Sequence, residues 1–178
     1  MNEEIVHGVP GPRALRPGDV VKLDVTLELD GYMADSAQTV IVPPASVEAQ
    51  RLQRAARIAF NQGLAAARAG KSLRDVGRAV EALARREGTF VLRELEGHGI
   101  GRRIHESPAV PNWASPSAGR ILHEGLVIAL EPLLATRLAR VVEEADGWTL
   151  RMHNRSLAAH HEHTIVIRDG LPLVLTAA

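Results

Sequence analysis

The sequence predicts an α+β protein built on a largely antiparallel sheet. Two β-rich runs are joined by Asp30-Gly31. Two amphipathic segments with N-cap signals follow, at 46–69 and 72–88. Short apolar runs separated by Gly- and Pro-containing loops fill the second half of the chain. This order of strands, two helices and further strands is the basis of the fold prediction.

The first predicted element is a hairpin of two strands, Val20–Leu29 and Tyr32–Val42. A two-residue Asp-Gly connection is a strong hairpin signal, because both central residues adopt positive φ. With Asp30 and Gly31 as the two loop residues, Asp35 pairs with Thr26. Side chains alternate between the two faces of a strand, so Asp24, two residues before Thr26, lies on the same face as Asp35.

Two helices follow, and each begins at a serine. Ser46 can cap a helix that runs to about Ala69. Ser72, with Asp75 three residues later, forms the pattern of a capping box for a second helix that ends at Gly88. Apolar residues spaced three and four apart give each helix one buried face.

The second half of the chain is predicted to be mostly strands. A buried strand ends at Leu130, and residues 135–148 form a hairpin excursion or a short strand pair. A final hairpin turns at Asp169-Gly170. The remaining predicted strands are Thr89–Leu95, Leu126–Leu130, His163–Arg168 and Leu171–Leu175.

Length and composition limit the class of protein. The 178 residues are interpreted as a single domain, 1–178, of a size that builds a hydrophobic core. The formal charge is zero, which argues against binding to nucleic acid or a membrane surface through bulk charge. The chain has no cysteine, which excludes disulfides and thiolate chemistry. No apolar run approaches a membrane span and the first residues do not form a signal peptide, so a cytoplasmic protein is expected.

Side chains typical of metal ligands stand at strand ends and in a glycine-rich turn. Besides the two aspartates of the hairpin, these are His98, Glu131 and Glu162. Each one alone is also explained as a solvated or hydrogen-bonded side chain. Together, four carboxylates and one imidazole exceed the needs of one zinc ion and suit two divalent ions. Paired ions of this kind activate water for hydrolysis.

The sequences and order of these motifs resemble those of the methionine aminopeptidase family of the bacterial type, which has the pita-bread metallopeptidase fold. The resemblance covers nearly the whole chain, in the same order. Its motifs are Asn2–Pro10, Leu23-Asp24-Val25, Ala34-Asp35-Ser36, Gly97–Pro108, Leu130-Glu131-Pro132 and Glu162-His163-Thr164.

The resemblance implies a dinuclear centre of Co, Mn, Fe or Zn ions. In this family pattern Asp24 holds one ion, Asp35 and Glu162 bridge the pair, and His98 and Glu131 complete the other. A water between the ions attacks the peptide bond, and Glu131 accepts its proton.

The resemblance also implies residues that contact the substrate. His7 and His105 stabilise the developing oxyanion, and Trp148 forms a wall of the methionine pocket. The implied activity is hydrolysis of the N-terminal methionine from peptides and nascent proteins.

The family pattern begins upstream of Asn2, so an N-terminally truncated pita-bread domain is expected, with one sheet face short of its helix cover. Association of two copies into a homodimer and contact with the ribosome follow as weaker hypotheses. Two other functions stay open, an Xaa-Pro peptidase of the same fold and a pita-bread binding module without catalysis. The other histidines are interpreted as loop residues or as side chains that orient the ligands: His123, His153, His160 and His161.

Overall fold

The computed structural model describes residues 1–177 and has two helices and twelve strands. The helices are α1 (Val47–Ala66) and α2 (Leu73–Arg86). The strands are β1 (Glu4–Val6), β2 (Val20–Leu29), β3 (Tyr32–Ile41), β4 (Phe90–Val91), β5 (Gly97–Gly99), β6 (Glu106–Val110), β7 (Val127–Leu130), β8 (Leu133–Ala135), β9 (Val141–Glu143), β10 (Leu150–Met152), β11 (Ala158–Val166) and β12 (Leu173–Val174).

The strands form a large central sheet and a small second one. The nine-stranded sheet has the order β2-β3-β11-β7-β5-β6, with β12 and β8 also paired to β11 and β4 paired to β8. The three-stranded sheet has the order β1-β10-β9. The paired strands are antiparallel. The predicted α+β class with an antiparallel sheet is therefore confirmed.

The first hairpin has the predicted register. Thr26 pairs with Asp35 and Asp24 pairs with Ala37, without a bulge along the ladder. The turn residues have positive φ, 53° at Asp30 and 76° at Gly31. The Asp-Gly turn matches the right-handed twist of the two strands, and so it fixes which residues share a face.

Both helices begin where their caps predict. The Ser46 hydroxyl accepts a hydrogen bond from the Ala49 amide at 3.1 Å. Ser72 and Asp75 form a reciprocal capping box at the start of α2. The helices end at Ala66 and Arg86, slightly earlier than predicted.

The helices cover one face of the central sheet. Phe60 of α1 packs in a cluster with Ile128, Leu130 and Ile165 from β7 and β11. A second cluster joins the two helices to β4, β8 and β11: Leu52, Ala55, Ala56, Ala59, Val80, Leu83, Ala84, Val91, Leu134 and Ala159. This layer of helices on sheet forms the hydrophobic core.

Strand β11 divides the two faces of the sheet. The rings of His161 and His163 meet the ring of Phe60 edge-on, at 5.3 and 5.1 Å between centroids, on the helix side. His160 and Glu162 line a cleft on the opposite side. Alternate residues of one strand therefore serve the core and the cleft.

The helix-covered face continues, uncovered, over the end strand β2. Val25 pairs with Ser36, and Ser36 pairs with His163, which places Val25 on the face that α1 covers at β11. The alternate residues of β2 on this face are half exposed or more: Leu23 53%, Val25 52%, Leu27 66% and Leu29 76%. The expectation of an uncovered apolar sheet face is confirmed.

Several strand limits differ from prediction. Residues 135–148 form the expected hairpin, but its second strand, β10, begins only at Leu150. The strand predicted at 89–95 is reduced to Phe90–Val91. Strand β11 begins at Ala158 rather than His163, so His160 and His161 are strand residues and not loop residues. Within the described 1–177, neither helix is long and apolar enough to span a bilayer.

Candidate metal centre

A cleft of about 1420 Å³ opens on the face of the sheet away from the helices. Its walls come from the central sheet, from the small sheet and from the loops that follow β1, β4 and β5. All eight predicted site residues line it: His7, Asp24, Asp35, His98, His105, Glu131, Trp148 and Glu162. The fold thus brings together residues that are up to 155 positions apart, from His7 to Glu162.

Hydrogen bonds between neighbouring strands hold Asp35 in place. Its backbone amide donates to the Thr164 hydroxyl at 2.8 Å, and that hydroxyl donates to the Asp35 carbonyl at 2.9 Å. The Thr26 hydroxyl donates to Asp35 Oδ1 at 3.0 Å. Asp35 is buried, whereas the Asp24 side chain is 37% exposed at the mouth of the cleft. The hairpin therefore presents one fixed and one accessible carboxylate.

His98 lies between two glycines on a crowded strand. A side chain at Gly97 would meet the Ala129 carbonyl, and one at Gly99 would meet the Ser107 carbonyl. The His98 Nδ1 lies 2.9 Å from the Gly99 carbonyl oxygen. Because a carbonyl only accepts, Nδ1 donates this hydrogen bond, and in the neutral ring Nε2 is then the nitrogen with the lone pair. Nε2 points toward Glu131, 3.5 Å from its Oε1.

The two glutamates enter the cleft from adjacent strands. The carbonyl oxygen of Glu131, directly after β7, accepts a hydrogen bond from Asn112 Nδ2 at 3.0 Å. The carbonyl oxygen of Glu162 accepts one from the Ser36 hydroxyl at 3.1 Å. Glu162 is 1% exposed, and its Oε1 has no hydrogen-bond partner among residues 1–177. Buried oxygens are rarely left unpaired, which indicates a missing ligand.

The carboxylates resist ionisation in this setting. Burial raises the pKa of Asp24 and of Glu131 above their usual values. Burial also raises the pKa of Glu162, to about 7, and the nearby Glu131 and Asp35 add to the rise. Such a cluster is costly unless a positive charge neutralises it.

Divalent cations fit this donor set. Two groups of side chains have ligand atoms within 4.8 Å of one another: Asp35 with His98 and Glu162, and Asp24 with His160 and Glu162. Carboxylate oxygens and imidazole nitrogens are ordinary ligands of transition metals. The free lone pair of His98 and the unpaired Glu162 oxygen are both available to an ion.

Three further predicted residues surround the cluster. The rings of His98 and His105 meet edge-on at 4.4 Å between centroids. The ring of His7, a residue with φ of 61°, stacks on Trp148 at 5.2 Å. Burial lowers the pKa of His105, and the nearby His98 lowers it further. His105 is therefore favoured as a neutral imidazole, which donates one hydrogen bond.

The sequence interpretation of His160 missed its position. The residue is 1% exposed and lies beside three carboxylates, with Nε2 3.3 Å from Glu162 and 3.6 Å from Glu131. Burial lowers the pKa of His160, but Glu131 and Glu162 outweigh that effect and raise it to about 10. The period-two alternation of His160, Glu162 and Thr164 was the available signal.

The cleft holds side chains that could bind metal ions, and comparison with known proteins identifies the class of protein as a metallopeptidase with the pita-bread fold. The chain belongs to metallopeptidase family M24, which it matches over residues 1–169. Within this family it is 37% identical to a methionine aminopeptidase from Borreliella burgdorferi, over 99% of this chain and 70% of that protein.

Among solved structures, the chain is more similar to methionine aminopeptidase than to prolidase. The crystal structure of methionine aminopeptidase from Thermotoga maritima matches with a TM-score of 0.96 and 35% identity, over 99% of this chain and 72% of the other. Prolidase from Pyrococcus furiosus matches with a TM-score of 0.77 and 21% identity, over 97% of this chain and 45% of the other. The second likeness shows the shared fold alone.

Proposed function

We propose that this chain is a metal-dependent aminopeptidase that removes the N-terminal methionine from peptides and nascent proteins. The observation that carries the proposal is the 37% identity to a methionine aminopeptidase across 99% of the chain. The candidate ligands and the three surrounding side chains all line one cleft, which is consistent with that activity. Residues 1–178 are proposed to act as one catalytic domain.

Five residues are proposed to hold two divalent ions. Asp24 would bind one ion, Asp35 and Glu162 both, and His98 and Glu131 the other. Ions of Co, Mn, Fe or Zn suit this mixture of oxygen and nitrogen donors. When bound, such ions lower the pKa of water and polarise the scissile carbonyl.

Glu131 is proposed to accept the proton of the attacking water. It is buried next to His98, and burial raises its pKa toward the range in which a carboxylate is an effective base. Asn112 fixes the backbone at this position. A general base must lie close to the proton that it accepts and must have a pKa near the working pH.

His7 and His105 are proposed to donate hydrogen bonds to the oxygen that becomes negative in the transition state. Donors that are already in place stabilise that charge without reorganisation. The exposed ring of Trp148 stacks on His7 and gives the cleft an apolar wall for the methionine side chain.

The test uses metal-stripped protein resupplied with Mn or Co. Amino acids released from peptides beginning with Met-Ala, Met-Lys and Ala-Pro are measured by mass spectrometry. Selective release of methionine from the Met-Ala peptide is expected. Release from the Ala-Pro peptide would instead identify an Xaa-Pro peptidase. No release by folded, metal-loaded protein would contradict an enzymatic function and leave the binding module.

A matched pair of variants checks that the cleft performs the reaction. Asp24→Asn removes a proposed ligand and is expected to abolish release. Asp169→Asn makes the same chemical change at an exposed turn far along the chain and is expected to leave release unchanged. Equal activity in the two variants would contradict the assigned site.

The proposed partners are the N-termini of peptides and nascent proteins. Ribosome contact, homodimer formation and a cytoplasmic location stay predictions. The uncovered apolar residues of β2 are the surface on which an association of two copies would depend.

A further inference from the structure

His160 occupies a place that ordinary packing does not explain. It is 1% exposed, and neither ring nitrogen has a hydrogen-bond partner of good geometry within residues 1–177. Nε2 lies 3.3 Å from Glu162 and 3.6 Å from Glu131, and Nδ1 lies 4.0 Å from Asp24. A buried polar side chain without a partner, aimed into a carboxylate cluster, indicates a ligand between them.

The backbone keeps the ring in this position. The His160 amide donates to the Thr39 hydroxyl at 2.8 Å, and that hydroxyl donates to the His160 carbonyl at 2.8 Å. Thr39 thus locks β11 to β3 at the residue that carries the imidazole. These two hydrogen bonds fix the backbone position from which the ring enters the cluster.

The two groups of ligand atoms have the same composition. Asp35, His98 and Glu162 form one group, and Asp24, His160 and Glu162 form the other. Each contains an aspartate and a histidine, and both share Glu162. We propose that His160 is a sixth ligand of the metal centre, binding the ion held by Asp24 and Glu162, so that each ion has one imidazole nitrogen. This inference rests on the metal centre of the proposed function.

The chemistry around the ring supports direct binding. Metal-bound histidines usually donate their second ring N–H to a carboxylate, which orients the ring. Both ring nitrogens of His160 face carboxylates, so either one can lose its proton and bind the ion while the other donates to a carboxylate. Ligand atoms about 2.1 Å from one ion lie at most about 4.2 Å apart, close to the separations in this group.

A second imidazole changes which metals the centre prefers. Imidazole suits Zn, Fe, Cu and Ni, whereas carboxylate and water ligands suit Mg and Mn. The ion at Asp24 is therefore expected to be Zn or Fe in preference to Mn. Replacing His160 with glutamine, which offers an oxygen instead, should weaken Zn binding more than Mn binding.

The decisive experiment counts imidazoles per ion by zinc X-ray absorption on protein loaded with two equivalents of Zn. The wild type is expected to show about one imidazole per zinc on average, because His98 and His160 each bind one ion. His160→Gln and His98→Gln are each expected to halve that number. His123→Gln, at an exposed position, is the matched control and should leave it unchanged.

A parallel calorimetric titration measures affinity. His160→Gln is expected to weaken the binding of one of the two Zn ions at least about tenfold, with a smaller change for Mn. Loss of affinity alone does not show that His160 is a direct ligand, because a residue that only orients ligands also alters affinity about 10–100-fold. The imidazole count separates the two roles, and the wild-type count stands even where a variant fails to fold.

Wild-type protein with half an imidazole per zinc would overturn the proposal for His160 while leaving the dinuclear aminopeptidase intact. Wild-type protein that binds no Zn and releases no methionine would instead overturn the proposed function itself. The two failures are thus distinguishable from one set of samples.

Discussion

His160 and His161 are neighbours in the chain, yet they lie in opposite environments. The carboxylates around His160 overcome its burial and raise its pKa to about 10. Burial beside Phe60, with positive charge on His163, His160 and Arg57, lowers the pKa of His161 to about 4. The comparison shows that β11 separates a charged cleft from an apolar core. The face that a residue occupies decides its chemistry more than its type does.

The largest expected effect is on the cleft side. Glu162→Gln removes the carboxylate shared by both ligand groups, and methionine release should fall more than about a hundredfold, together with metal binding. The free energy of unfolding of the metal-free protein should change little, because the lost contact between Glu162 and His160 is offset by relief of the repulsion from the neighbouring carboxylates. Peptide cleavage, metal content and urea unfolding measure the three quantities.

Glu124→Gln is the control for that variant, since Glu124 is exposed. A Glu162→Gln protein that unfolds during purification, with Glu124→Gln unaffected, would show that the cleft face also carries stability. The conclusion that the helix face carries stability and the cleft face carries metal binding would then be wrong.

The next effect is on the helix side. Leu130→Ala leaves a cavity where Leu130 packs in the cluster with Phe60, and unfolding should cost about 2–5 kcal/mol less. Activity of the folded protein at low temperature should remain, because Leu130 points away from the cleft. Urea unfolding and low-temperature assays measure both. Leu138→Ala, at a residue 71% exposed, should change neither.

The smallest effect concerns pH. The pKa of His161 is lowered to about 4 from 6.5, so protonation favours the unfolded chain, and stability falls as the pH drops from 6.5 toward 4. His161→Gln removes this dependence. In the metal-free proteins, the free energy of unfolding of the variant minus that of the wild type should be larger at pH 5 than at pH 8. Urea unfolding measures this difference. An equal difference at both pH values would contradict the assigned environment, and exposed His153→Gln serves as the reference.

Local signals in the sequence predicted the elements that local chemistry controls. The Asp30-Gly31 turn fixes the register that puts Asp24 and Asp35 on one face, because turn length determines pairing. The serine caps correctly predicted where both helices start, because a capping side chain binds a backbone amide only three residues away. These elements depend on residues within a few positions of one another.

Elements that depend on distant pairing were not predicted. The first residues of β11, Ala158 to Glu162, lack β-branched side chains, and they are extended because Gln38, Ala37 and Leu133 pair with them. The predicted strand therefore began too late, at His163, and His160 was interpreted as a loop residue or as a side chain that orients the ligands. The pairing of β1 with β10 is equally non-local.

The two-residue turn between β2 and β3 also limits how this region can change during evolution. Substitutions that keep its length preserve the alternation of Asp24 with Leu23 and Val25. A one-residue insertion or deletion that shifts the ladder would turn the leucines into the cleft and the aspartate out of it. The hairpin should therefore tolerate substitutions far better than insertions or deletions.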